Sequence, residues 1–212
     1  MSKARVRQHV NPLSQPYQVP VIVPDWTEIY PASQPLHLDI GSAKGKFLLQ
    51  MAQLQPQKNF LGVEIRKSLV LEANLKREHL ELPNLYFLFC NVNVSLNLIL
   101  SSLPTDILQI ATIQFPDPWF KHKHVKRRVV QPELVEILAQ YLVEGGFVFL
   151  QSDVQAVAQE MSQRFNSHRA FQKQHQSPWL AANPLPVPTE REQSTLARGE
   201  PIYRSLFSKS RA

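Results

Sequence analysis

The chain has 212 residues, 43% of them hydrophobic, with a formal net charge of +6 and an isoelectric point near 9.5. That length fits one domain with short appendages. No apolar run approaches the ~20 residues of a membrane span, and the N-terminal MSKARVRQHVNPLSQ lacks the apolar stretch of a signal peptide. The single cysteine, Cys90, excludes an internal disulfide framework and suits a reducing cytoplasm. Inside LYFLFC it is expected to be buried filler rather than a nucleophile.

Residues 1–34 are polar, rich in proline (Pro12, Pro16, Pro20, Pro24, Pro31) and aperiodic, with Lys3, Arg5 and Arg7 ahead of the first acid, Asp25. They are expected to form a basic arm with little regular structure, leaving 35–212 as the main domain. LHLDI (36–40) predicts a strand ending at Gly41, and GKFLLQMAQLQ (45–55) a helix stopped by Pro56. NFLGVEI (59–65) predicts a second strand and SLVLEANLKREHL (68–80) a second helix. LYFLFCN (85–91) predicts a third strand, followed by a short helix over 94–101, and ILQIATIQF (107–115) a fourth strand. Pro132 opens a helix through ELVEILAQYL that Gly145 and Gly146 close. FVFLQSD (147–153) is the fifth predicted strand and VQAVAQEMSQRF (154–165) the next helix. A polar, proline-rich loop over 176–201 leads to a last strand, IYRSLFSKS (202–210).

Strands alternating with helices imply a parallel sheet covered on both faces, which binds ligands at the carboxyl ends of its strands near the point where strand order reverses. Asp39 to Gly45, Glu64, Asn91, Asp117 and Asp153 all fall at such ends. In DIGSAKG (39–45), Gly41 and Gly45 permit a tight turn and close approach of backbone to a nucleotide-like ligand. Glu64, ending the second strand, has the placement of an acid that accepts from ribose hydroxyls. A dinucleotide and S-adenosylmethionine both satisfy that pair. Ala43, where a dinucleotide loop has its middle glycine, and the lone last strand after a long loop both favour S-adenosylmethionine.

The stretch FPDPWFKHKHVKRR (115–128) holds one carboxylate, Asp117, between Pro116 and Pro118 and two residues before Trp119. It then runs through Lys121, Lys123, Lys126, Arg127 and Arg128 with no acid before Glu133. With DIGSAKGKF, GVEI and the C-terminal TEREQ…GEPIYR, this stretch resembles the bacterial tRNA (guanine-N7-)-methyltransferases over residues 36–208. The resemblance implies an α/β class I methyltransferase: a Rossmann-like, doubly wound, mostly parallel seven-stranded sheet with a C-terminal antiparallel hairpin. It implies that Asp39, Glu64, Asn91 and Asp117 line a site for S-adenosylmethionine, and that Asp117 is also the catalytic acid. It assigns Lys121, Asp153 and Thr189 to Glu192 to a tRNA substrate, methylated in its variable loop. The chain departs from the family's pattern at Ala43 (usually glycine), Asn91 (usually aspartate), Lys123 (usually arginine) and Ser152 (usually threonine). Asn91 can still accept a bond from an adenine amino group.

The chemistry of the residues agrees. Guanine N7 carries a lone pair at neutral pH, so catalysis reduces to in-line positioning, worth on the order of 7–11 kcal/mol when well arranged. Asp117 can accept from the N1–H and amino group of guanine and offset positive charge growing on the purine. Trp119 offers a stacking face for a splayed base, while Lys121, Lys123, Lys126, Arg127 and Arg128 can neutralise phosphates.

Other readings stay open at this point: a methyltransferase for an exocyclic amino group, an RNA-binding module without catalysis, or a dinucleotide oxidoreductase. Asp153 could instead cap the helix that follows it. His122 and His124 lack supporting ligands at metal spacing, so no metal is expected, and His37 is expected to be a packed strand residue. No residue pattern decides between a monomer and a homodimer.

Overall fold

A computed structural model describes residues 10–210; Lys3, Arg5 and Arg7 lie outside the described residues. Seven strands form one sheet: β1 (Leu36–Ile40), β2 (Asn59–Glu64), β3 (Leu85–Phe89), β4 (Leu108–Gln114), β5 (Phe147–Ser152), β6 (Phe171–Lys173) and β7 (Tyr203–Lys209). Their order is β3-β2-β1-β4-β5-β7-β6. The first five run parallel, whereas β7 pairs antiparallel with both β5 and β6. Strand order therefore reverses between β1 and β4, the place where open sheets of this kind leave a crevice. This is the class I methyltransferase architecture expected from the sequence.

The helices are α1 (Trp26–Ile29), α2 (Lys46–Leu54), α3 (Lys67–His79), α4 (Val92–Ser101), α5 (Pro132–Tyr141), α6 (Gln155–Asn166) and α7 (Glu190–Ala197). Every residue of β1 and of β2 is buried, as expected for parallel strands covered on both faces. Side chains alternate across the sheet. Leu38, Ile40, Leu61 and Val63 join residues of α4, α5 and α6 in one core. Phe60, Leu85 and Phe87 join Leu48 and Met51 of α2 and Val70 and Ala73 of α3 in another. Among the described residues no helix is long and apolar enough to cross a membrane.

Within residues 35–210 one strand and one α-helix were hidden in the sequence. α7 lies inside the predicted loop 176–201, and β6 is a strand of three residues ahead of it. The helix starts at Thr189, whose hydroxyl accepts from the Glu192 amide at 3.1 Å. TERE is thus the first half of a capping box, a start signal legible in the residues.

The described part of the arm is packed onto the domain. Trp26 and Tyr30 are buried in the first core, the Trp26 indole donates to Ser102 Oγ at 2.8 Å, and the Tyr30 hydroxyl donates to the Phe60 carbonyl at 2.9 Å.

Candidate active site

The carboxyl ends of β1 to β4 open into one pocket. Gly41 follows β1, Glu64 and Arg66 end and follow β2, Asn91 follows β3, and Gln114, Asp117 and Trp119 end and follow β4. Val10 and Pro12 of the arm complete its wall.

The glycine loop is shaped by its backbone. Gly41 has φ +86° and nothing within 4 Å of where a Cβ would sit, so its glycine serves conformation and leaves open space. Gly45 has φ +73°, and a Cβ there would stand 2.5 Å from the Phe87 ring and 2.9 Å from Ala73. Gly45 is therefore a packing glycine behind the pocket rather than part of its wall. Ala43, at the family's usual glycine, holds φ 48°, a conformation that costs an L-residue about 1–2 kcal/mol. Its amide donates to Glu64 Oε2 at 2.9 Å, while those of Gly41 and Ser42 donate to the Val63 carbonyl at 2.8 and 3.1 Å. Ser42 Oγ is buried without a hydrogen-bond partner.

Glu64 is buried and fully engaged. Its Oε1 accepts from the Arg66 amide at 3.0 Å and Arg66 Nε at 2.8 Å, and its Oε2 accepts from Ala43 and from the Arg66 guanidinium at 3.1 Å. The hydrogen bond with Glu64, and the charges of Glu64 and Asp117, raise the Arg66 pKa against the effect of burial. Asp39 stands one residue behind the wall. Its Oδ1 accepts from the Thr112 hydroxyl at 2.6 Å and, more weakly, from Gln114 Nε2 at 3.5 Å. Burial pushes its carboxyl up to about 6, against those two hydrogen bonds. Because the Thr112 proton goes to Asp39, His37 Nε2, 3.1 Å from the same hydroxyl, must be the donor. Burial pushes His37 down to about 3, so it is a neutral packed residue, as expected. The Cys90 thiol is pushed up to about 12 by burial, which leaves no thiolate at neutral pH.

The Asp117 loop is held in a conformation that bulky residues rarely adopt: Phe115 has φ 50° and Trp119 φ 43°. Ala43, Phe115 and Trp119 thus concentrate backbone strain around the pocket, the pattern of a functional site. The basic run divides by direction. Lys121, Lys123 and Lys126 are exposed on and just before a 3-10 segment, His122–Arg127. Arg127 lies over the Trp119 ring, 4.9 Å from its centroid, and the His124 ring meets the same indole edge-on at 5.6 Å. One face of Trp119 therefore carries a cation. Phe120, not singled out from the sequence, is 75% exposed between Trp119 and Lys121. Arg128 turns inward, its Nε donating to the Pro118 carbonyl at 2.9 Å and its terminal nitrogens reaching the Trp119 carbonyl and Glu160.

Asp153, Thr189 and Glu192 lie away from the pocket. The α6 N-cap is Val154 with no side-chain cap, and Asp153 instead pairs with Arg191 of α7. Glu192 is 2% exposed. Its carboxylate accepts from Arg204 at 2.8 Å, Gln151 at 3.1 Å and Asn183 at 2.7 Å. Gln151 in turn donates to Gln114 at 2.7 Å, so a polar chain leads from α7 to the pocket wall. Asn91 caps α4, accepting from the Asn93 amide at 3.2 Å, and its amide nitrogen donates to the Pro12 and Tyr17 carbonyls, both at 3.0 Å. Aspartate could not donate, so this departure fastens the arm beside the pocket. Arg66, Gln114 and the partners of Glu192 carry no motif that a single sequence would reveal.

The family model described as "Putative methyltransferase" matches residues 33–205. A tRNA (guanine-N(7)-)-methyltransferase of Microcystis aeruginosa is 62% identical over 98% of this chain and 99% of its own length. One from a Nostoc species is 61% identical over 97% and 94%. Among solved structures, precorrin-6y C5,15-methyltransferase of Geobacter metallireducens shares the fold at TM-score 0.56 and 11% identity, covering 87% of this chain and 84% of its own. The chain belongs to the tRNA (guanine-N(7)-)-methyltransferase family.

Proposed function

We propose that the pocket binds S-adenosylmethionine and that the enzyme transfers its methyl group to N7 of a guanine in the variable loop of tRNA, in the cytoplasm. One observation carries the reading: Asp117 shares a pocket wall with Gly41 and Glu64, and the exposed Lys121, Lys123 and Lys126 follow it directly. The residues fit this methyl donor. Gly41 leaves room for close approach, and the carboxylates of Glu64 and Asp117 line the place where a cationic ligand would lie. The donor supplies an electrophilic methyl on a sulfonium.

The chain's residues do the positioning. Asp117 accepts from the Watson–Crick edge of guanine and offsets charge growing on the purine as N7 is methylated. Glu64 and Asn91 hold the donor's polar groups, and the Asp39 carboxyl supports them from behind the wall. Ribose hydroxyls reach Glu64 once the Arg66 fork turns aside, because a carboxylate has about four acceptor positions and all are taken. Trp119 and Phe120 offer aromatic faces to extruded bases. Lys121, Lys126 and Arg127 meet phosphates, and Asp153, Thr189 and Glu192 shape the adjoining face through α7.

Titration with S-adenosylmethionine should give saturable binding. Replacing Lys121, Lys123 and Lys126 together by glutamine should weaken tRNA binding and reduce the slope of log affinity against log salt by about 2. An unchanged slope would place these lysines away from RNA.

A further inference from the structure

We propose that Glu160, on α6 and outside the pocket, is a positioning residue for methyl transfer: through Arg128 it fixes the main chain of Pro118 and Trp119, and with it the place of Asp117. The inference rests on Asp117 acting at the reacting base.

The loop that carries Asp117 needs such a brace. Phe115 and Trp119, on either side of Asp117, hold φ 50° and 43°, and bulky residues stay in that region only where their surroundings determine it. Phe115 is tied at its amide, which donates to the Gln151 carbonyl at 2.8 Å. On the far side Arg128 donates to the Pro118 and Trp119 carbonyls. Its side chain is 15% exposed and paired with Glu160. The same carboxylate accepts from Arg164 at 2.6 Å, one helical turn along α6. Arg164 also donates to the Val130 carbonyl at 2.5 Å and to Gln131 Oε1 at 2.9 Å, and Gln131 Nε2 donates to the Arg128 carbonyl at 2.7 Å. The brace thus closes on itself, joining α6, the loop and the start of α5.

A planar guanidinium spans a carboxylate and two carbonyls at once, which a lysine ammonium on a flexible stem cannot do in the same geometry. With each nitrogen engaged inside the protein, Arg128 acts on the loop rather than on RNA phosphates. Glu160 sets its orientation.

Glu160→Gln, Arg128→Lys and the double variant should be compared with wild type and with Asp117→Asn, using S-adenosylmethionine and unmodified tRNA. Each single variant should lower kcat by about ten- to a hundredfold, with KM for tRNA and the salt slope of binding within about twofold of wild type. The double variant should be no worse than the worse single, because both changes cut one link. Melting temperature checks the fold, and if Glu160→Gln melts early, the charge-preserving Arg128→Lys decides. Retained kcat in both singles overturns the inference. So does tighter, more salt-dependent tRNA binding by Glu160→Gln, which would mean that a released Arg128 takes up phosphate. If Asp117→Asn also keeps its turnover, the reading of Asp117 fails; if it alone loses turnover, only the brace fails.

Discussion

Asp117→Asn and Asp117→Ala should abolish methyl transfer, a loss of about a thousandfold or more in kcat, while tRNA affinity stays within about threefold of wild type. Asparagine preserves shape but removes the charge and turns one acceptor into a donor. That donor would face the N1–H and amino group of guanine, which also donate, so the isosteric change is expected to be as severe as truncation. Affinity survives because phosphates, held by cations elsewhere on the loop, supply most of it. Single-turnover rates measured with saturating tRNA separate the two effects. A variant keeping more than about a tenth of the wild-type rate would remove Asp117 from the reaction.

Asp39→Asn should stabilise the ligand-free enzyme at neutral pH and weaken binding of the methyl donor. Burial pushes the Asp39 carboxyl up to about 6, against about 3.9 in an unfolded chain. A carboxylate raised on folding contributes stability that is fully present below about pH 4 and is lost as pH rises through about 6. The gap of about two pKa units corresponds to about 3 kcal/mol, opposed in the variant by an amide group that needs a new partner. A gain of about 1–3 kcal/mol, several degrees in melting temperature, is expected at pH 7.5. The gain should vanish near pH 4. An equal pH profile for the two proteins would show that Asp39 is not held above its ordinary value. A buried charge that costs stability and is kept beside a pocket for a cationic ligand is a familiar exchange of stability for function.

Much of the scaffold was legible because its signals are local. Continuous apolar runs mark β1 to β5 within a residue or two of their bounds, and helical spacing with Pro56 and Pro132 as punctuation marks α2 and α5. β6 has only three residues, too few for a period to show. α7 was missed because prolines before it suggested loop, although its capping signal was present. In the site, Gly41, Glu64, Asn91, Asp117, Trp119 and Arg127 do meet at one pocket. What the residues could not reveal was direction. A run of cations does not say that Arg128 faces the interior and Lys126 the solvent, because the partners of Arg128 include Glu160, thirty-two positions away in the chain. Nor does the identity of Asn91 reveal that its amide holds carbonyls of the arm.

The most direct test is to incubate the enzyme with deuterated-methyl S-adenosylmethionine and unmodified tRNA, digest the RNA, and locate the label by mass spectrometry. A labelled N7-methylguanosine from the variable loop, absent with Asp117→Asn, is expected. Label on an exocyclic amino nitrogen, or none transferred by a folded enzyme that binds both substrates, would contradict it.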